Sequence, residues 1–272
     1  GDWEVILVDD CGPEDGTREA VESLAREHPS RRIEYIRNEQ NVGCSHTRNI
    51  AMAGARGEFL AFLDPDDYWG PRQLEIALQS IGDADLCFTR GRCVDERGSD
   101  LGPHMGGRMD ELVAAFPRSM FRENFLLIFA AVIRHDYIRK VGGFITREHA
   151  LVGEDWDFYL RCIAAGARFV FSAEECCYYR RYQGSLTSDY LGSARDCVRV
   201  VRRNRRTARG IMRRDLTDAL HERLCWLAYL LTSFRDWDGL RDMWEALRLK
   251  PFDVAPFVQV AKGLRNNWKS LR

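Results

Sequence analysis

Phe59-Leu60-Ala61-Phe62-Leu63-Asp64-Pro65-Asp66-Asp67-Tyr68-Trp69 is the stretch whose reading decides the fold. Five apolar residues run directly into three carboxylates held within four positions. Such an unbroken apolar run predicts a strand buried on both faces, as in a parallel sheet covered by helices. Pro65 and the acids end it abruptly. In open α/β sheets the ligand crevice lies beyond the carboxyl ends of the strands, which puts these acids at its edge. Like charges this close raise one another's pKa. A divalent cation removes the conflict, and carboxylate oxygens suit Mn2+ or Mg2+ while leaving positions for phosphate oxygens. The competing reading is a strand end with solvated acids, before a helix opened by Pro71.

Working outward, the residues before this run alternate strand and helix. Trp3 to Val8 reads as a strand ending in Asp9-Asp10-Cys11-Gly12, and Thr17 to Glu27 as a helix with Ala20, Val21, Leu24 and Ala25 on one face. Ile33 to Arg37 is a second strand, and Ser45 can cap a helix running to Arg56. Strand, helix, strand, helix, strand is the pattern of a sheet with crossover helices. After a helix from Pro71 to Ile81, short strands are predicted at 85–89, 92–95, 129–133, 168–171 and 176–182. Pro103 to Arg108 reads as a loop, His135 to Val141 as a short helix, and Glu154-Asp155 opens a helix to Ala165.

Composition excludes more than it selects. A length of 272 residues with 45 % hydrophobic and 30 % charged content describes an ordinary globular chain of one or two domains. A net charge of -1 provides no global field for nucleic acid, which is not expected as a partner. The nine cysteines are scattered without repeated C-x-x-C spacing, and no secretory signal opens the sequence, so they read as reduced, cytoplasmic thiols. No apolar stretch is long enough to span a bilayer.

Seven short motifs then occur in order: Val8-Asp9-Asp10, Asn41-Val42-Gly43, Thr47-Arg48-Asn49, Leu63-Asp64-Pro65-Asp66-Asp67, Val141-Gly142-Gly143-Phe144, Gly153-Glu154-Asp155-Trp156 and Tyr179-Arg180-Arg181. Each alone is weak, but their order and spacing over residues 3–188 resemble the family 2 glycosyltransferases. The resemblance implies a GT-A (Rossmann-like) α/β fold, with a mixed, mostly parallel sheet flanked by helices. It implies a catalytic domain over 1–188 and a helical C-terminal region over 189–272. It also implies an inverting enzyme of polysaccharide biosynthesis that moves a sugar from a nucleotide diphosphate-sugar donor to a glycan or lipid-linked hydroxyl acceptor.

The same resemblance assigns roles. Asp66 would ligate the divalent cation, with Asp64 facing the ribose or the metal's water shell and Asp67 supporting both. Asp9 or Asp10 would accept from the base ring, the other bonding the following turn. Arg48 would reach the base or the phosphates. Asp155 would be the general base, with Glu154 shaping its surroundings. A carboxylate at a helix N-terminus is kept ionised by the helix dipole, which suits a base, although purely structural acids occupy the same position. Trp156 would line the acceptor pocket or pack the helix.

Two departures from the family pattern matter. Family members often follow the last strand with Tyr-Arg-x-His, the histidine completing the metal shell. Tyr182 stands there instead, a poorer ligand while protonated, and His46, His104 and His149 are the histidines that could replace it. The family also places a strand and a helix before the Val-Asp-Asp strand, and the sequence reads as lacking them. These departures keep open a second reading, a catalytically impaired GT-A-fold protein that binds nucleotide or glycan. A nucleotidyltransferase or phosphatase is disfavoured, because neither an Asp-x-Asp-x-Thr motif nor a glycine-rich phosphate loop is present.

The last third is helical. From Arg195 to Arg214 nine arginines face one aspartate, and Val198, Val200, Val201 and Ile211 are too sparse to make a core helix by themselves. The stretch fits either peripheral contact with the inner face of a membrane or a solvated helix paired with acids elsewhere. Leu220 to Phe234, Leu240 to Leu249 and Val254 to Leu264 read as amphipathic helices that pack on the catalytic domain or form a homo-oligomer contact.

Overall fold

Two parallel strands begin the chain. β1 (Glu4–Asp9) pairs with β2 (Arg32–Arg37) in register from Glu4 opposite Arg32 to Asp9 opposite Arg37. The crossover between them is helix α1 (Thr17–Glu27), as a parallel pair requires. The computed structural model describes residues 2–146, 152–182, 189–234 and 236–269. It divides into two compact units, Gly1–Met109 with Leu126–Arg181, and Asp110–Phe125 with Tyr182–Arg272. Residues 183–188, where the sequence places the end of the first domain, lie outside the described residues, as does His149.

In the first unit, α2 (Cys44–Gly54), β3 (Phe59–Ala61), β4 (Tyr68–Trp69), α3 (Gln73–Ile81), β5 (Leu86–Val94) and β6 (Asp100–Pro103) follow. β7 (Ala131–Arg134), α6 (His135–Val141), α7 (Glu154–Ala164) and β8 (Phe169–Arg180) complete it. The second sheet has the order β3-β7-β5-β8-β4, with β6 on the far part of β5. Its longest ladder, β5 with β8, is parallel, and the others are antiparallel.

Two sequence expectations change here. The apolar run 59–63 forms a strand of only three residues, and none of Phe59, Leu60 and Ala61 is buried. The reason is its place: β3 ends the sheet and pairs only with β7, so one edge and part of each face stay open. The predicted strand pairs 85–89 with 92–95 and 168–171 with 176–182 are instead two long strands, β5 and β8. Register shifts between Phe88 and Gly91 let the extra residues of β8 bulge without ending the ladder. Under the sheet, Ala77 and Ile81 of α3 pack on Cys87 and Val132. On Phe88 converge the rings of Tyr159, Phe169 and Phe171.

The second unit holds α4 (Met109–Ala114), α5 (Arg118–Arg122), α8 (Tyr190–Thr207), α9 (Gly210–Ser233), α10 (Asp238–Leu249) and α11 (Ala255–Lys269). α9 is its centre, burying Leu216, Leu220, Leu224, Leu227 and Leu231. The few valines of α8 do reach this core, since Val198, Val200 and Val201 are all buried. Several of its arginines have partners: Arg195 pairs with Asp236, Arg199 with Asp196, and Arg202 makes two bonds to Glu245. No helix among the described residues is long and apolar enough to cross a membrane.

Candidate active site

The geometry centres on Arg48, on the first turns of α2. Its guanidinium donates Nη2 to Asp64 Oδ1 at 2.5 Å and Nη1 to Glu154 Oε1 at 2.6 Å. It also lies over the Phe144 ring, 5.7 Å from the centroid. Arg48 thus ties the acid turn after β3 to the N-terminus of α7. Burial disfavours its charge, but Asp64 and Glu154 outweigh burial and raise its pKa further. Cys44 Sγ donates to the same Glu154 oxygen at 3.7 Å. Burial, and then the neighbouring Glu154 charge, push that thiol up to about 11, so it stays a neutral donor at neutral pH.

The turn itself is held from β8. Asp67 N–H closes it on the Asp64 carbonyl at 3.2 Å. Asp67 Oδ1 accepts from Arg180 N–H at 2.8 Å, and Arg180 Nε donates to the Asp66 carbonyl at 2.9 Å. Tyr68 stacks on Tyr178 where β4 pairs with β8, with centroids 4.6 Å apart. Burial pushes the Asp67 carboxyl up to about 7, opposed by the Arg180 N–H and reinforced by the Asp66 and Asp64 charges.

Asp155 sits on the first turn of α7, entered through Gly153 at φ +89°, a conformation that favours glycine. Its Oδ1 accepts from Trp156 N–H at 2.7 Å. Glu154 beside it is buried and Asp155 is half-buried. Trp156 is 1 % exposed, which settles its role as packing within the unit.

Asp9 and Asp10 have a different setting. Asp9 accepts from Tyr35 Oη at 2.5 Å, Arg37 Nη1 at 2.6 Å and Gly12 N–H at 2.8 Å. The Tyr35 hydroxyl leads in holding its carboxyl below the usual range, with Gly12 and Arg37 adding to it. Asp10 accepts from Val42 N–H, Gly43 N–H and the Asn38 amide at 2.9, 2.7 and 2.8 Å. Burial opposes ionisation there, but those donors outweigh it and lower the pKa.

Sequence reasoning quoted two further residues as motif members without giving them roles. Asn49 grips the backbone of Phe144 from both sides: its amide donates to the carbonyl at 2.9 Å and its Oδ1 accepts the N–H at 2.8 Å. A Cβ on Gly143 would stand 2.3 Å from that Oδ1, so only glycine fits this approach. Arg180 is the second, positioning the acid turn as described. A third, Arg161, was missed: it pairs with the buried Asp157 at 2.7 Å and donates to the Val141, Gly142 and Gly143 carbonyls. Its signal was the i, i+4 spacing from Asp157 on α7.

Among the described residues no three metal-ligating side chains converge into a cage. His46 is exposed on α2, and His104 is buried against Tyr179. Tyr182 follows β8 and belongs to the second unit.

Comparison with known proteins gives this arrangement its family. The sequence model for glycosyl transferase family 2 matches residues 1–140. An uncharacterized glycosyltransferase of Methanocaldococcus jannaschii is 28% identical over 165 residues, 59% of this chain; the chain spans 55% of that relative's length. The putative teichuronic acid biosynthesis glycosyltransferase TuaG of Bacillus subtilis is 28% identical over 204 residues, 74% of this chain and 76% of TuaG. Among solved structures, S. aureus TarS in complex with UDP-GlcNAc aligns over 98% of this chain and 80% of its own, at TM-score 0.67 and 18% identity. The mannosyltransferase PcManGT from Pyrobaculum calidifontis, in complex with GDP-Man and Mn2+, aligns over 98% of this chain and 78% of its own, at TM-score 0.60 and 16% identity. The architecture is the GT-A fold, a curled mixed sheet flanked by helices and followed here by C-terminal helices. With residues 1–140, about half of its length, matched by the family model, the chain belongs to glycosyl transferase family 2.

Proposed function

We propose that the chain is an inverting glycosyltransferase that moves a sugar from a nucleotide diphosphate-sugar to a hydroxyl of a glycan or lipid-linked acceptor. The observation that carries this reading is Arg48, which holds Asp64 of the acid turn and Glu154 of α7 at one place. Donor-side acids and acceptor-side acids thereby form one site. Asp155, half-buried on the first turn of α7, takes the acceptor proton. The acceptor oxygen forms its bond to the anomeric carbon as the bond to the diphosphate breaks, and the nucleoside diphosphate leaves with the electron pair. Glu154, buried beside it, is paired with Arg48.

The three acids within 64–67 fit a divalent cation, Mn2+ or Mg2+, held by Asp66 with Asp64 nearby. With no three-residue cage, its remaining ligands would come from diphosphate and water. When bound, such a cation neutralises the charge that develops on the leaving diphosphate. Asp67 and Arg180 fix the turn that aims Asp66. With Asp9 and Asp10 engaged by protein donors, base recognition would use their outward oxygen lone pairs or the backbone they hold in place. TuaG's role in teichuronic acid synthesis supports a polysaccharide acceptor. The exposed arginines Arg203, Arg206, Arg209, Arg213 and Arg214 give the 195–214 stretch a basic surface suited to the inner face of a membrane.

The test is turnover across a panel of nucleotide sugars, with and without manganese. Release of nucleoside diphosphate from at least one donor, dependent on added cation, is the expected outcome. Tight nucleotide binding without release from any donor would favour the impaired binding protein.

A further inference from the structure

Apart from Trp3, every exposed tryptophan and phenylalanine among the described residues lies in the second unit. Three of them, Trp244, Phe252 and Phe257, lie where α10 turns into α11. Trp244 is 58 % exposed on α10, Phe252 in the connecting loop is 99 % exposed and Val254 is 68 % exposed. On α11, Phe257, Ala261 and Leu264 recur at helical spacing on the outer face, while Pro256, Val260 and Gly263 face inward. Trp244 and Phe257 meet edge to face at 6.5 Å, so the two helices present one continuous apolar surface. An exposed face of this kind marks an interaction site rather than ordinary surface.

The charges around it are mostly basic, although Lys250 pairs with Asp218 of α9 at 3.0 Å and Asp238 is exposed on α10. From Ala246 to Lys269 the charged residues are Arg248, Lys250, Lys262, Arg265 and Lys269, against Asp253 alone. Asp253 is turned to the protein: it accepts from Ala255 N–H at 2.8 Å and lies 3.5 Å from His221 Nε2. Two other acids on α10 are also engaged, Glu245 by Arg202 and Asp242 by burial. Arg248 continues the Trp244 face one turn on, and Lys262 and Arg265 flank the α11 stripe.

We propose that the α10–α11 face is a membrane-docking surface, which seats Trp244, Phe252, Phe257 and Leu264 among the headgroups of an anionic bilayer. Aromatic rings at headgroup depth, with basic side chains beside them, are the chemistry of an interfacial helix. A second copy of this chain is the poorer occupant. A two-fold contact would set the same mostly basic rim against itself. This surface is separate from the 195–214 arginines and independent of the transfer reaction.

The experiment uses the full chain with vesicles of phosphatidylcholine alone or mixed with phosphatidylglycerol, at low salt. The parent is expected to sediment with the mixed vesicles and not with the neutral ones. Lipids brominated on their chains should quench its tryptophan fluorescence, and Trp244→Phe should remove much of that quenching. Phe257→Glu with Leu264→Glu should weaken binding at least about tenfold with the chain still folded, because these residues are already 49 % and 41 % exposed. Lys262→Glu with Arg265→Glu should weaken it through charge alone. In all of these variants nucleoside diphosphate release should match the parent. The proposal is overturned if the parent ignores anionic vesicles, or if only variants of Arg206, Arg209 and Arg213 lose binding. It is equally overturned if light scattering shows a dimer that the Phe257/Leu264 variant dissociates.

Discussion

Two turns in the first unit look alike in sequence and differ in chemistry. After β1, Asp9-Asp10 ends a strand; after β3, Asp64-Pro65-Asp66-Asp67 does the same. At the first turn six donors, from Tyr35, Arg37, Gly12, Val42, Gly43 and Asn38, satisfy two carboxylates, and both pKa values fall. At the second, one arginine serves Asp64 and one backbone N–H serves Asp67, whose carboxyl is pushed up to about 7. A strand-end acid pair is thus no signature of ligand binding by itself. The useful signal is the crowding of like charges around a buried carboxyl, which a ligand with positive charge can relieve.

Asp155→Asn should have the largest effect. It preserves size and the bond to Trp156 N–H but removes the proton acceptor, so transfer should fall at least ~10²-fold with donor affinity nearly unchanged. If Asp155 merely opens α7, activity should persist with a loss of about 1 kcal/mol in stability. Turnover and melting temperature in the one variant distinguish these.

Arg48→Ala comes next, because it strands Glu154 as a buried carboxylate without its cation. Breaking such a pair costs roughly 3 kcal/mol. Arg48→Lys should recover little, since one ammonium cannot reproduce a fork bonded to two separate acids. Denaturant unfolding reads both. If the lysine variant equals the parent in stability and turnover, the bridge between the two acid groups is not what organises the site.

Asp10→Asn sharpens the contrast between the turns and should cost less, about 1–2 kcal/mol near neutral pH. Because the folded pKa of Asp10 is lowered, its stabilisation is present above the ordinary carboxylate range and is lost as pH falls through the folded value. Parent and variant should therefore differ at pH 7 and converge in acid. A difference that persists at low pH would mean that the charge on Asp10 is not what holds Val42 and Gly43.

Much of this was legible in the sequence, for identifiable reasons. The β1–α1–β2 crossover followed from the order strand, helix, strand, since a parallel pair requires a crossover. The length of β3 did not, since edge position is a property of the whole sheet and the residues 59–63 carry no mark of it. β5 and β8 were each read as two strands, because Arg90-Gly91 and Ser172 to Glu174 resemble breaks until the bulged ladder between them is seen. Within the site, the motif order located Asp64, Glu154 and Arg48, but not that Arg48 joins the other two. That bond spans 106 residues of sequence, and spacing along a chain says nothing about such closure. Asn49 and Gly143 form a pair only in space, for the same reason.

The most direct test of the acid turn as the cation site is calorimetric titration of Asp66→Ala with a nucleoside diphosphate in the presence of manganese. The account predicts that cation-dependent binding is lost, while the fold is retained and Asp155→Asn binds as the parent does. Binding of the nucleotide and manganese by Asp66→Ala at parental affinity would contradict it.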